Sequence, residues 1–210
     1  MKSTIRHRDM SVEREIAKFL DRHLYSSSEF TNVIRTNTLD EQYSGSDVVL
    51  SIPSKNLFSV VVDEKAQTQY INHPLPTFAF ELSFLNVRDN VEEGWFTSLE
   101  KKTEYYLLLW IIRANQSWDL KLDDIKEVEY MLVSRHALLK TFADKGYGID
   151  KLQEMARQVR ASEIAGVHHK RETSQAWMFY SPNLAEKPIN IVVKKKFLLK
   201  HAIMSGVISV

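Results

Sequence analysis

Cysteine is absent from this 210-residue chain, and with it go disulfide frameworks, thiolate zinc sites and cysteine nucleophiles. Any metal must therefore sit on oxygen or imidazole. Charge of one sign is also lacking: 28 Lys and Arg stand against 27 Asp and Glu. There is no global basic field, so a nucleic-acid surface would have to be a local patch. Long hydrophobic runs are missing too. The longest, Tyr105 to Ile112, falls far short of a bilayer span. The charged stretch from Met1 to Met10 lacks the apolar core of a signal peptide. A cytoplasmic protein with no membrane partner is expected. Glycine is scarce, with no Gly-rich phosphate loop, and no Ser-His-Asp arrangement can be argued from single residues.

What is present is the patterning of a single α/β or α+β domain over 1–210, since strands and helices interleave without a repeat or linker. Ser11 as N-cap, then Val12, Ile16, Phe19, Leu20 and Leu24 at helical spacing, predict a helix over Val12 to Tyr25. Phe30 to Thr36 reads as a short strand. Asp47 to Ile52 and Leu57 to Gln67 are β-branched runs around the turn-forming Pro53-Ser54-Lys55-Asn56, which predicts a hairpin. Thr77 to Leu85 is a third, largely buried strand. Leu99, Tyr106, Leu109, Trp110 and Ile112 predict a helix over Ser98 to Ala114. Residues 123–145 divide into a strand, Val128 to Val133, and a helix, His136 to Lys145, with one long helix as the competing reading. A helix over Ile149 to Ala161 and strands at Ala176 to Tyr180 and Ile189 to Val193 complete the pattern.

The chemistry concentrates in the hairpin. With a turn near Ser54-Lys55, antiparallel pairing sets Asp47 opposite or diagonal to Asp63, Cβ atoms roughly 5–8 Å apart. Alternation puts Asp63, Lys65 and Gln67 on one face and Val62, Glu64 and Ala66 on the other. Two converging carboxylates repel unless one is protonated or a cation lies between them. Mg²⁺ suits such a site, because it is typically held by one or two carboxylates plus substrate phosphate. The Lys65 ammonium is then placed to act on a water or to offset negative charge on a phosphate. By helical angle Glu13, rather than Glu15, falls on the apolar stripe of the first helix, where a carboxylate needs a partner or a metal; the alternative is that, near the first turn, it merely favours the helix dipole.

The acid, the hairpin-length gap and the acid-x-Lys of Asp47, Asp63 and Lys65 resemble the PD-(D/E)XK nuclease superfamily, over about Ser11 to Trp110. That resemblance implies a restriction-endonuclease-like three-layer α/β/α fold with a central mixed sheet, its catalytic core in 11–110, with 111–210 completing the sheet and flanking helices. It also implies hydrolysis of phosphodiesters, in DNA more than in RNA, with Mg²⁺ or Mn²⁺ as cofactor. It further implies Asp47, Asp63 and the Glu64 carbonyl as metal ligands, Glu13 and Gln67 as additional catalytic-site residues, and Tyr105 as a nucleic-acid-contacting aromatic on the helix behind the site, with a plain core residue as the alternative for Tyr105. Gly45-Ser46-Asp47 departs from the pattern by lacking the proline. Acid-x-Lys recurs at Glu100/Lys102, Asp119/Lys121 and Asp124/Lys126, so only its place at the end of Val60-Val61-Val62 singles out the first. The plain alternative is that these charges merely end a strand and face water.

Outside the hairpin, Lys194, Lys195 and Lys196 form the strongest basic run. They are candidates for phosphate contacts, with a solvated, lysine-protected sheet edge as the alternative. His168-His169-Lys170-Arg171 lacks the spaced third ligand of a zinc site and reads as a solvated loop. Rival readings of the whole chain are a nucleic-acid-binding module without turnover and an α/β protein-interaction domain. A homodimer is compatible with each.

Overall fold

The computed structural model describes residues 2–36, 38, 44–170 and 174–210, with the backbone alone for 2–7 and 9. Contacts divide the chain into two compact units, one of residues 1–75, 102–134 and 202–210, the other of 76–101 and 135–201.

The first unit is a mixed six-stranded sheet with a long helix on one face. Helix α1, Lys2–His23, places Val12, Ile16, Phe19 and Leu20 against Val48, Leu50, Val62, Leu107 and Leu109 in one buried cluster, which is the face its sequence spacing marked out. It ends where the Leu24 and Tyr25 N–H groups both donate to Leu20 O at 2.9 Å. Ser11 is not its N-cap: the helix runs on toward the N-terminus through a segment free of Pro and Gly. Arg8 there donates to Ser117 O at 2.8 Å and lies 4.9 Å from the centre of the Trp118 ring, so tertiary contact extends the helix beyond its amphipathic part.

The strands are β1 (Thr31–Arg35), β2 (Val48–Ile52), β3 (Leu57–Ala66), β6 (Tyr105–Ala114), β7 (Ile125–Ser134) and β11 (Ala202–Ser209), in the order β1-β2-β3-β6-β7-β11. Only the β3–β6 pair is parallel. The expected hairpin is β2–β3. A single 3₁₀ turn, Pro53–Lys55, joins its strands, and Asn56 closes the turn in the left-handed region at φ 56°, which asparagine tolerates better than most residues. The expected helix over Ser98 to Ala114 is instead strand β6. Flanked by β3 and β7, β6 buries Tyr106 through Ile111 on both sheet faces, and a continuous apolar run of that kind mimics helical spacing. The single long helix considered for 123–145 is likewise excluded, because β7 occupies its first half.

The second unit is an antiparallel sheet in the order β5-β4-β10-β9-β8, from β4 (Thr77–Leu85), β5 (Val91–Glu93), β8 (Gly166–His168), β9 (Ala176–Tyr180) and β10 (Ile189–Lys194). Its helices are α2 (Arg135–Ala143), α3 (Ile149–Ser162) and the short α4 (Lys195–Leu199). Phe80 packs on Trp95 and Phe96, and Phe96 edges onto Phe142. The strand expected at Thr77 to Leu85 thus forms, but in a different sheet from the hairpin. Lys194 ends β10, which lies between β4 and β9, so the lysine run does not protect a sheet edge.

Candidate active site

The β2–β3 register pairs Val48 with Val62, and the Asp47 N–H continues it by donating to Val62 O at 3.0 Å. Asp47 therefore sits beside Asp63, and both share the sheet face opposite α1, because Val48 and Val62 face the helix. The approach to Asp47 is pinned from two sides. Thr36 N–H donates to Asp47 O at 2.9 Å, and Thr103 Oγ1 donates to Gly45 O at 2.7 Å. Gly45 takes φ 77°, a conformation open to glycine at no steric cost, in the turn that leads through Ser46 into Asp47.

Asp63 is 1% exposed and forms an ion pair with Lys65 Nζ. The same tripeptide chemistry at Asp119/Lys121 yields a 2.7 Å pair with side chains 68% and 55% exposed, the sort of surface pair that contributes little. Burial separates the two occurrences. The Asp47 carboxyl is pushed up to about 7, first by its own burial and then by the charge of Asp63, with Lys65 opposing. For Lys65, burial alone would depress the ammonium, but Asp63 and Asp47 outweigh it and hold the pKa above the ordinary lysine value. The cluster thus crowds two carboxyls against one ammonium, and burial beside Asp63 makes the Asp47 carboxyl readier than usual to keep its proton.

Glu64 divides its bonds between the two faces. Its N–H donates to Asp47 Oδ2 at 2.7 Å. Its side chain points the other way, where it accepts Tyr25 Oη at 2.7 Å and Arg35 Nη1 at 2.9 Å. Arg35 also pairs with Asp21 of α1 at 2.7 Å. Since a strand residue's N–H and C=O point to the same side, the Glu64 carbonyl is directed toward the Asp47 side. The carboxylate is committed elsewhere, which leaves the carbonyl as the metal ligand Glu64 could offer.

Glu13 is exposed, and its charge is the smallest of those that raise Lys65. Glu15 is turned away, accepting Leu122 N–H at 3.0 Å and Lys18 Nζ at 2.7 Å. Contrary to its helical angle, Glu13 therefore does not lie on the packed stripe: α1 shows it to solvent and packs on the other sheet face from the cluster, and its link to the cluster is a minor charge effect on Lys65. Gln67 follows β3; its amide oxygen accepts Leu75 N–H at 3.2 Å, so it holds the loop beyond the strand. Tyr105 does not belong with the cluster: it pairs in register with Val62 and packs on the α1 side. Its neighbour Tyr106 pairs with Asp63 and is fully buried. The misplacement follows from reading β6 as a helix. His168 bonds Ile164 O at 2.7 Å, and Arg171 lies outside the described residues. Lys194, Lys195 and Lys196 belong to the second unit.

The residues missed from sequence are Tyr106 and the Arg35, Asp21 and Tyr25 set around Glu64. A signal for the latter existed, because Glu64 falls on the apolar face of β3 with Val60, Val62 and Ala66, and a buried carboxylate requires a partner.

No group of three or more His, Asp or Glu side chains is arranged to hold a metal among the described residues. Two adjacent carboxylates with a carbonyl directed toward them still suit a hard ion that keeps several waters, rather than a closed protein cage. The raised Asp47 carboxyl marks a place where a proton now relieves a repulsion that a cation can also relieve. The chain matches no protein-family model, no curated protein and no solved structure.

Proposed function

We propose that this chain is a metal-dependent phosphodiesterase with a restriction-endonuclease-like core, acting on nucleic acid, DNA before RNA. The observation that carries the reading is the meeting of Asp47, Asp63 and Lys65 on one face of the β2–β3 hairpin, with Asp63 buried and Lys65 held against it. A mixed sheet with α1 packed on one face supports the architecture.

Asp47, Asp63 and the Glu64 carbonyl would hold Mg²⁺ or Mn²⁺. Bound there, the ion would supply Lewis-acid polarisation of a phosphodiester and ease deprotonation of the attacking water. Lys65, an ammonium at neutral pH, acts as a donor: it exchanges part of its Asp63 contact for a phosphate oxygen and offsets the charge that grows there. Glu13 contributes at most a weak negative potential at Lys65, and Gln67 fixes the strand end. Lys194 to Lys196 supply sequence-independent phosphate contacts.

The test is cleavage of plasmid, single-stranded DNA and RNA with Mg²⁺ or Mn²⁺, comparing wild type with Asp63→Asn and Lys65→Ala. Cleavage by the wild type alone supports the assignment. Equal cleavage by Lys65→Ala contradicts it, and salt-sensitive binding without any cleavage selects a binding module.

A further inference from the structure

Two half-buried arginines in this chain are treated differently by their surroundings. Arg35, in the first unit, is paired with both Asp21 and Glu64. Arg160, in the last turn of α3, has no carboxylate partner among the described residues. Its Nη2 donates to Ser83 Oγ at 2.9 Å and its Nη1 to Lys187 O at 3.1 Å, and the guanidinium lies 5.7 Å from the centre of the Tyr180 ring. Burial acts to depress its pKa, opposed only by Tyr180. A charge withdrawn from water without a counter-charge is costly, and this one is also locked in place by three neighbours.

Arg160 lines a groove of about 490 Å³ between α3 and the β4–β5 edge, with Leu82, Val91 and Ala156 among its walls. Arg157 and Gln153 also line it, but Arg157 is exposed and paired with Glu154 at 2.9 Å, so the fixed cation without a counter-charge is Arg160. Apolar walls with a few placed polar groups are the usual form of a small-ligand site. Glu92 and Glu93 of β5 line it as well, the former bonded to Asn86 and the latter to Gln153. These carboxylates disfavour multiply charged anions. β5 pairs only with β4, which leaves its outer edge able to bond an extended main chain.

From this arrangement we infer that the groove binds a monoanionic carboxylate on an apolar body, its carboxylate on Arg160 and its apolar part against Leu82, Val91 and Ala156. A free organic acid and the C-terminus of a peptide share this chemistry, and the open β5 edge favours the peptide. The inference does not depend on the nuclease reading.

The test uses the full chain and calorimetric or NMR titration with N-acetyl-leucine, its neutral amide, a longer peptide ending in a free leucine, and inorganic phosphate. N-acetyl-leucine should bind about tenfold or more tightly than the amide, because only the carboxylate meets the charge. Phosphate should not compete. A further gain for the longer peptide assigns the source as a peptide C-terminus, whereas equal affinity assigns a free acid. Arg160→Gln should abolish binding. Because Arg160 also ties Lys187 to β4, Val91→Asp serves as the second variant: it changes an exposed groove residue and should likewise repel the acid while the chain stays folded. Equal binding of acid and amide, no binding of the acid, or binding unaffected by Val91→Asp overturns the inference.

Discussion

The N–H of Glu64 donates to Asp47 Oδ2 at 2.7 Å, so the residue that positions the Asp47 carboxyl is itself anchored through its side chain to Arg35 on the opposite sheet face, at 2.9 Å. α1, β1 and β3 meet in that anchor. Removing one partner of a buried ion pair costs ~3–5 kcal/mol, but Arg35 is a quarter exposed and solvent screening lowers the figure. Arg35→Gln should therefore destabilise the chain by ~1–3 kcal/mol in urea unfolding. Replacing both partners, Arg35→Met with Glu64→Gln, should cost less than the single change. Equal loss in the single and double variants would show that the pairing is not what the single change removes.

A pH dependence follows from Asp47. Folded, its carboxyl keeps a proton up to about 7, whereas an unfolded aspartate releases it near ~3.9. Between these values the folded state binds more protons, so this group's contribution to stability falls as pH rises through the window, by up to ~1.4 kcal/mol per unit, and is level above it. Asp47→Asn should remove that slope. Chemical denaturation at pH 4.5, 6 and 8 checks this, and parallel profiles for wild type and variant would refute it.

Much of this site was legible in the sequence because local rules decided it. A two-residue alternation, a four-residue turn and one run of valines suffice to bring Asp47, Asp63 and Lys65 to one face, and the register does so. The errors lie where tertiary context decides. A central strand buried on both faces loses its alternation, so β6 reads as a helix and Tyr105 is set beside the cluster, whereas it packs on the α1 side. Whether Thr77 to Leu85 joins the hairpin's sheet or another depends on pairing with β10, more than a hundred residues downstream, which no local pattern encodes. The Arg35 anchor spans three elements, and only Glu64 on an apolar face hinted at it.

Gly94 tests the packing of the second unit. A Cβ built there would stand 2.3 Å from Glu81 O and 2.7 Å from Leu82 N, both backbone atoms of β4 that cannot rotate aside. Gly94 N–H also donates to Leu82 O at 2.9 Å, so moving away breaks a bond. Gly94→Ala should cost ~2–4 kcal/mol, at the upper end of overpacking effects. Gly148→Ala, where a Cβ meets nothing within 4 Å but which changes the N-cap of α3, is the control and should cost no more than ~1 kcal/mol. Thermal melts that rank the two variants alike would contradict the close approach.

Asp63 and Lys65 touch, yet the proposed chemistry gives them different tasks, and the difference is measurable. Asp63→Asn removes a carboxylate that would bind the cation, so Mn²⁺ affinity by calorimetry and cleavage should disappear together. Lys65→Ala removes a charge that opposes cation binding. It also leaves Asp63, 2% exposed at its side chain, without its counter-ion, so the metal-free variant should melt below wild type. Mn²⁺ should then recover much of that loss, because a ligand that binds only the folded state stabilises it in proportion to its affinity. Affinity in this variant should equal or exceed that of the wild type, while turnover falls on the order of 10²-fold or more if Lys65 offsets developing charge on phosphate. In the wild type, affinity should tighten as pH rises toward 7, since the cation displaces the proton that Asp47 holds. A Lys65→Ala protein that loses Mn²⁺ binding along with Asp63→Asn would identify the lysine as a strut for the carboxylates, with no separate part in the chemistry.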